Sequence, residues 1–247
     1  MKIHLEPKNA GALFPTDILF QTAFWGRVKS RLGWNALAFD IDSPVPGGDV
    51  LVLTKRFDRD ACAAYIPQGP EMAPDPENYG PFLEALSESL ARQLEPRIAF
   101  IRYDLPWRSP YQSDAEGPDW QGHPEARLRE LRMNFSTQAW NLRKAAIDMT
   151  VADTCLVDIS GSEEDILRPM KPKTRYNIRL AERREVVVEG VWVEMLPAFY
   201  ELHRRTAERN GFLVCPYRYF AALFSDWAAD PDTSKIVFLL AMRGRDL

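Results

Sequence analysis

The sequence predicts a mixed α+β fold in two domains, residues 1–151 and 152–247. Three observations carry that reading. Short apolar runs of strand length alternate with longer stretches of helical period. The order of helices and strands is similar in the two halves, although no repeat shows at residue level. A chain of 247 residues that is 46% hydrophobic fits two domains of about 120 residues, each able to bury a core.

Thr16 and Asp17, after Pro15, are placed to cap a helix that runs through Trp25 and Lys29 and stops at Gly33. That helix would carry Gln21, Trp25 and Lys29 on one face. Residues 35–42 and 49–57 read as strands joined by a Pro-Val-Pro-Gly-Gly turn, and 62–66 as a third, giving an antiparallel meander. A helix over 77–94 leads to 97–104, a short apolar run that reads as a buried strand ending on the charged Asp104. Residues 106–123 are rich in Pro, Ser, Asp and Gly and form a surface loop. The second half opens with a strand at 154–159. A basic helix, a strand at 186–193, helices at 197–209 and 216–229 and a strand at 236–242 follow.

Several kinds of chemistry lack support. The histidines are His4, His123 and His203 alone, and no Gly-x-Ser-x-Gly elbow occurs, so a hydrolytic triad is not expected. Phosphate-binding and dinucleotide glycine loops, a His-Glu-x-x-His zinc motif and an acetyl-CoA pyrophosphate loop are all missing. Cys62, Cys155 and Cys215 are odd in number and widely spaced, which predicts inert thiols rather than a disulfide framework or zinc site. With no run of about 18 apolar residues and no secretory leader, a cytoplasmic protein is expected. A net charge of −4 gives no global attraction to nucleic acid, so any RNA contact must come from a local patch.

Such a patch exists at 171–184, Lys-Pro-Lys-Thr-Arg-Tyr-Asn-Ile-Arg-Leu-Ala-Glu-Arg-Arg. Lys171, Arg175, Arg179 and Arg183 recur at every fourth residue, so a helix would carry them as a slowly drifting stripe, and Lys173 adds to the charge of the segment. The same pattern also describes a solvated helix face beside an apolar seam of Tyr176, Ile178 and Leu180.

The wording of this segment, preceded by Val-Asp-Ile-Ser at 157–160 and Ser-Glu-Glu-Asp-Ile-Leu at 162–167, resembles the signature region of the FemABX family of peptidoglycan cross-bridge aminoacyltransferases. The likeness continues in Phe-Tyr-Glu-Leu at 199–202, Thr-Ala-Glu-Arg-Asn-Gly-Phe at 206–212 and Tyr219-Phe220. Earlier in the chain, Gln21, Trp25, Val28 and Lys29, then Tyr-Ile-Pro-Gln-Gly-Pro at 65–70, and Arg102-Tyr103-Asp104 resemble further family blocks. Together they span about 17–242.

The resemblance implies two GNAT-like acyltransferase domains and transfer of an amino acid from aminoacyl-tRNA to the side-chain amine of a peptidoglycan precursor, lipid II or UDP-MurNAc-pentapeptide. An activated ester donor needs positioning, proton removal and oxyanion stabilisation, without cofactor or metal. By position, Lys29 matches a lysine that binds the precursor diphosphate. Asp104 matches a cleft aspartate that orients or deprotonates the amine. Gln21, Trp25 and Tyr103 are further substrate-site positions. Without the resemblance, Lys29 reads as a helix-end lysine, Asp104 as an Asx turn and Trp25 as packing. Where one branch of the family has a second phosphate-binding arginine this chain has Cys215, with Arg218 three residues later as the substitute. Thr150-Val151 stands where the family has Gln-Pro.

The basic stripe is the candidate contact for the tRNA acceptor stem. The resemblance further implies a monomer that touches the inner membrane face through a lipid-linked substrate. It also implies a second domain lacking its last strands and helix, hence a truncated chain of weak or absent turnover; the tight Arg-Gly-Arg-Asp turn at 243–246 favours the short, armless form. Two other readings stand beside it: a noncatalytic module that binds RNA or another anion, and a GNAT-like N-acyltransferase with a different donor.

Overall fold

The computed structural model describes residues 1–43, 47–111, 121–151, 154, 157–229 and 234–244. The chain divides into two compact units, Met1–Thr150 and Val151–Leu247.

In the first unit, β1 (His4–Lys8), β2 (Asn35–Asp42), β3 (Gly48–Arg56), β4 (Cys62–Ile66) and β5 (Ile98–Tyr103) form one sheet in that spatial order. The first four are antiparallel, and β5 lies parallel to β4. A parallel neighbour requires a crossover, which α2 (Tyr79–Gln93) supplies. Side chains alternate between the two faces of a strand, so β3 sends Val50 and Val52 one way and Leu51 and Leu53 the other. All four are fully buried. On one face Phe82, Leu86 and Leu90 of α2 pack with Ile3, Leu5, Phe39, Val50, Val52 and Ile66. On the other lies α1 (Ala23–Arg31), whose Gly26 approaches so closely that an added Cβ would stand 3.3 Å from Leu51 Cδ1 and 3.6 Å from Ala36 Cβ.

The meander and the helix after it stand where the sequence places them, with ends shifted by a residue or two. Three differences have physical causes. α1 begins at Thr22, whose Oγ1 accepts from Trp25 N at 3.2 Å, and not at Thr16 or Asp17. Gln21 just before it is tied by its own side chain to Pro67 O (2.6 Å) and Leu51 N (2.8 Å), and these tertiary bonds hold 19–21 in a separate 3₁₀ turn. β1 has too little alternation to read as a strand, and pairing with β2 makes it one. α3 (Ala126–Asn134) carries its apolar residues outward, which hides the usual signature of a packed helix. The turn expected at 44–48 and the loop at 106–123 fall partly outside the described residues.

α3 is anchored through backbone and polar contacts. Glu84 of α2 accepts from Gln138 N and Ala139 N at 2.6–2.9 Å, and buried Asn134 bonds Leu142 through both its amide atoms. Gly80 sits against this segment so tightly that a Cβ there would stand 1.8 Å from Met133 O.

The second unit holds α4 (Glu163–Leu167), α5 (Pro172–Arg183), β6 (Val186–Gly190), α6 (Leu196–Asn210), α7 (Tyr217–Ala229) and β7 (Leu239–Arg243), with β6 and β7 antiparallel. Ser162 and Asp165 close a capping box on α4. Pro172 occupies the first turn of α5, where its missing N–H removes no helical bond. β6 and β7 are shorter than the runs that predict them. No strand covers Thr154 or Val157 to Ile159, and the other residues of that expected strand, with Cys155, lie outside the described residues.

Gly80→Ala should destabilise the protein by about 1–3 kcal/mol or more, since the obstruction is a backbone carbonyl. A lowered urea midpoint at unchanged slope is the expected result.

Candidate functional site

The site grows from the end of α1. Lys29 lies in the last turn, where the helix dipole favours a cation. Gly33 follows with φ +81°, a left-handed conformation that glycine adopts without strain. This turn brings Trp34 N back to Lys29 O at 3.1 Å. The indole is thereby fixed beside the lysine, with Lys29 Nζ 5.0 Å from its centroid and 5.4 Å from that of Trp25. From β3, exposed Lys55 brings a second ammonium to the same indole at 5.3 Å. Each such contact contributes about 0.5–1 kcal/mol at an exposed site, enough to orient a lysine and too little to immobilise it.

The indole also meets the Tyr65 ring at 6.3 Å between centroids. Tyr65 and Arg102 are register partners on β4 and β5, so they share one face of the sheet. Tyr65 OH donates to Asp104 Oδ2 at 2.6 Å, and Arg102 Nε and Nη2 donate to Oδ1 at 3.2 and 3.1 Å. Thr150 Oγ1 adds a fourth contact to Oδ2 at 3.3 Å, while Arg102 Nη2 reaches Ile147 O at 2.7 Å. The backbone of Asp104 is fixed as well, its N–H on Ile66 O and its carbonyl accepting from Gly69 N, both at 3.1 Å. Burial, then the hydrogen bond to Asp104, pushes the Tyr65 phenol well above its ordinary range, so it remains a donor.

A carboxylate offers about four lone-pair sites, and these donors occupy them. Asp104 is thus a fixed negative charge at a strand end, and acting as a base would require one of its partners to give way. Lys29 and Lys55 supply positive charge with flexible stems, the form suited to phosphate as a point-charge ligand. Among the described residues, no group of three His, Cys, Asp or Glu side chains converges to hold a metal ion.

Lys29 and Asp104 are therefore brought into one constellation, linked through Trp34 and Tyr65. Gln21 and Trp25 lie beneath it: Gln21 is a buried brace between β3 and Pro67, and buried Trp25 packs edge-on to Phe20 at 4.7 Å. Tyr103 faces away, a correction that follows from strand alternation. It lies one residue from Arg102 and so points to the α2 face, its hydroxyl 2.9 Å from Ser87 Oγ. Trp34 and Lys55 carry no local motif, and only the turn at Gly33 and the course of β3 bring them here. Tyr65 and Arg102 stood inside the family-like blocks, and strand register supplies their common face.

In the second unit Arg218 is exposed on α7. Lys171, Lys173, Arg179 and Arg183 are exposed along α5, whereas Arg175 is half-buried and donates to Arg168 O and Met170 O. Arg175 thus ties the end of α4 to the start of α5 and drops out of the stripe as a free phosphate contact. Arg183 leans over Tyr176, 5.8 Å from its ring centroid.

Tyr65→Phe keeps the ring and leaves the buried carboxylate one donor short. A loss of about 1–3 kcal/mol is expected, read as a lower denaturation midpoint.

A family model described as the FemAB family matches residues 14–242. The lipid II:glycine glycyltransferase of Staphylococcus aureus is 26% identical over 236 residues, which are 94% of this chain and 53% of that protein. The protein of the same description in strain USA300 gives the same figures. In fold, the chain is similar to the crystal structure of FemX, with a TM-score of 0.60 at 23% identity, over 90% of this chain and 52% of the other. The chain spans about half the length of the curated relatives it matches.

Proposed function

The chain belongs to the FemAB family, and on that premise we propose that it serves transfer of an amino acid from aminoacyl-tRNA to the side-chain amine of a peptidoglycan precursor. The observation that carries this reading is the constellation in the first unit, with two lysines around one indole at one end and a fully hydrogen-bonded aspartate at the other. An acceptor with a diphosphate at one end and an amine on its peptide has the matching order of charges. Lys29 and Lys55 hold the diphosphate. Asp104 draws in the acceptor's amine by charge while Tyr65 and Arg102 keep the carboxylate in place; the neutral amine attacks the ester carbonyl, and the proton it sheds passes to the ribose oxygen that leaves as the ester bond breaks. Positioning of this kind accelerates attack on an ester that is already activated. Similarity to glycyltransferases described as acting on lipid II supports the acceptor class.

Transfer of labelled amino acid from a pool of charged tRNAs to lipid-linked and nucleotide-linked muropeptides tests the reading. Lys29→Ala should lower kcat/KM about 10–100-fold, mainly through KM, the loss expected for one charge-assisted contact. Absence both of transfer and of binding of either muropeptide by the folded protein would overturn it and leave an anion-binding module.

The charged tRNA meets the second unit, in this proposal, through Lys171, Lys173 and Arg179 on α5. Their exposure on one helix supports phosphate contact without base readout. Arg179→Gln should weaken tRNA binding equally for all tRNAs and reduce the salt slope by about 1, whereas Arg175→Gln should act mainly on stability.

A further inference from the structure

α3 turns a short apolar stripe to solvent. At about 100° per residue, Leu128, Leu131 and Phe135 fall within roughly 60° of one another. They are 56%, 44% and 72% exposed, respectively. The opposite side is inward, where Arg129, Glu130 and Met133 are half-buried and Met133 O meets Gly80. Exposed Arg127 and Arg132 flank the apolar stripe on either side. Past the helix the same character continues in Trp140, 50% exposed, and exposed Arg143, whose Nη1 donates to Trp140 O at 2.9 Å. Of the basic residues over 125–149, Arg127, Arg132 and Arg143 are exposed, Arg129 is half-buried and Lys144 pairs with Asp148, while the exposed acidic residues are Glu125 and Asp148. This is a local reversal in a chain of net charge −4.

We propose that this face of the first unit, α3 and the turn carrying Trp140, is a docking surface for an anionic lipid membrane. The apolar stripe enters the boundary between headgroups and acyl chains, and the flanking arginines reach back to lipid phosphates. Charge complementarity selects the membrane over an apolar protein partner, since a stripe rimmed by arginines on both sides matches a plane of phosphates. Among the described residues no helix is long and apolar enough to cross a membrane, and this surface lies on one without crossing it. The surface argument itself rests on exposure and charge, independent of the proposed reaction.

The test is co-sedimentation of the 247-residue chain with vesicles of phosphatidylglycerol and phosphatidylcholine, against vesicles of phosphatidylcholine alone. Binding to the anionic vesicles is expected, at least tenfold weaker for the double variant Leu131→Ser, Phe135→Ser. Arg127→Gln with Arg132→Gln should remove most of the preference for anionic lipid and flatten the salt dependence. Failure of the unaltered chain to bind anionic vesicles at low salt overturns the proposal, as does undiminished binding by the Leu131/Phe135 variant. A clear fall in Tm of that variant also overturns it, because it would show the stripe buried against protein. No readout depends on transfer activity, so loss of the catalytic reading and loss of this one are distinguishable.

Discussion

The first unit turns on one buried carboxylate at the end of a parallel strand pair. Asp104 is held by its backbone against β4 and by its side chain against Tyr65, Arg102 and Thr150. A buried charge is costly unless its lone pairs are met, and here donors from β4, from β5 and from the end of the unit meet them. The arrangement therefore fixes more than a side chain. It ties β4 to β5, and through Arg102 to Ile147 O it ties the end of the unit to the same point.

Strand alternation then decides which neighbours take part. Tyr65 and Arg102 turn to the face that α1 covers only in part, and Tyr103 turns to the α2 core. Trp34 joins Tyr65 to Lys29 because the left-handed Gly33 folds the chain back at the end of α1. A helix terminus, a sheet face and a strand end meet here. Each contributes a different charge or surface: ammonium, indole and carboxylate. The acceptor proposed above asks for that order.

The second unit presents charge in a simpler form. α5 displays Lys171, Lys173 and Arg179 to solvent, and spends Arg175 on the carbonyls that close α4. Carbonyls at a helix C-terminus lack intrahelical donors, so an arginine one turn into the next helix satisfies them. Fourfold spacing alone does not separate a ligand-facing arginine from one used to join two helices.

By itself the sequence determined the meander, the helix that follows it and the strand ending at Asp104, because apolar alternation and turn residues act over a few neighbours. It also determined the family, through ordered blocks of Tyr65 to Pro70, Arg102 to Asp104 and the basic helix. Tertiary structure alone decided that Lys55 and Trp34 share a site with Asp104, that Gln21 is a brace, and that α3 faces its apolar stripe outward. These depend on strand register and on what packs against each face. Both are set by contacts between residues 30 to 50 or more positions apart, and no local pattern encodes them.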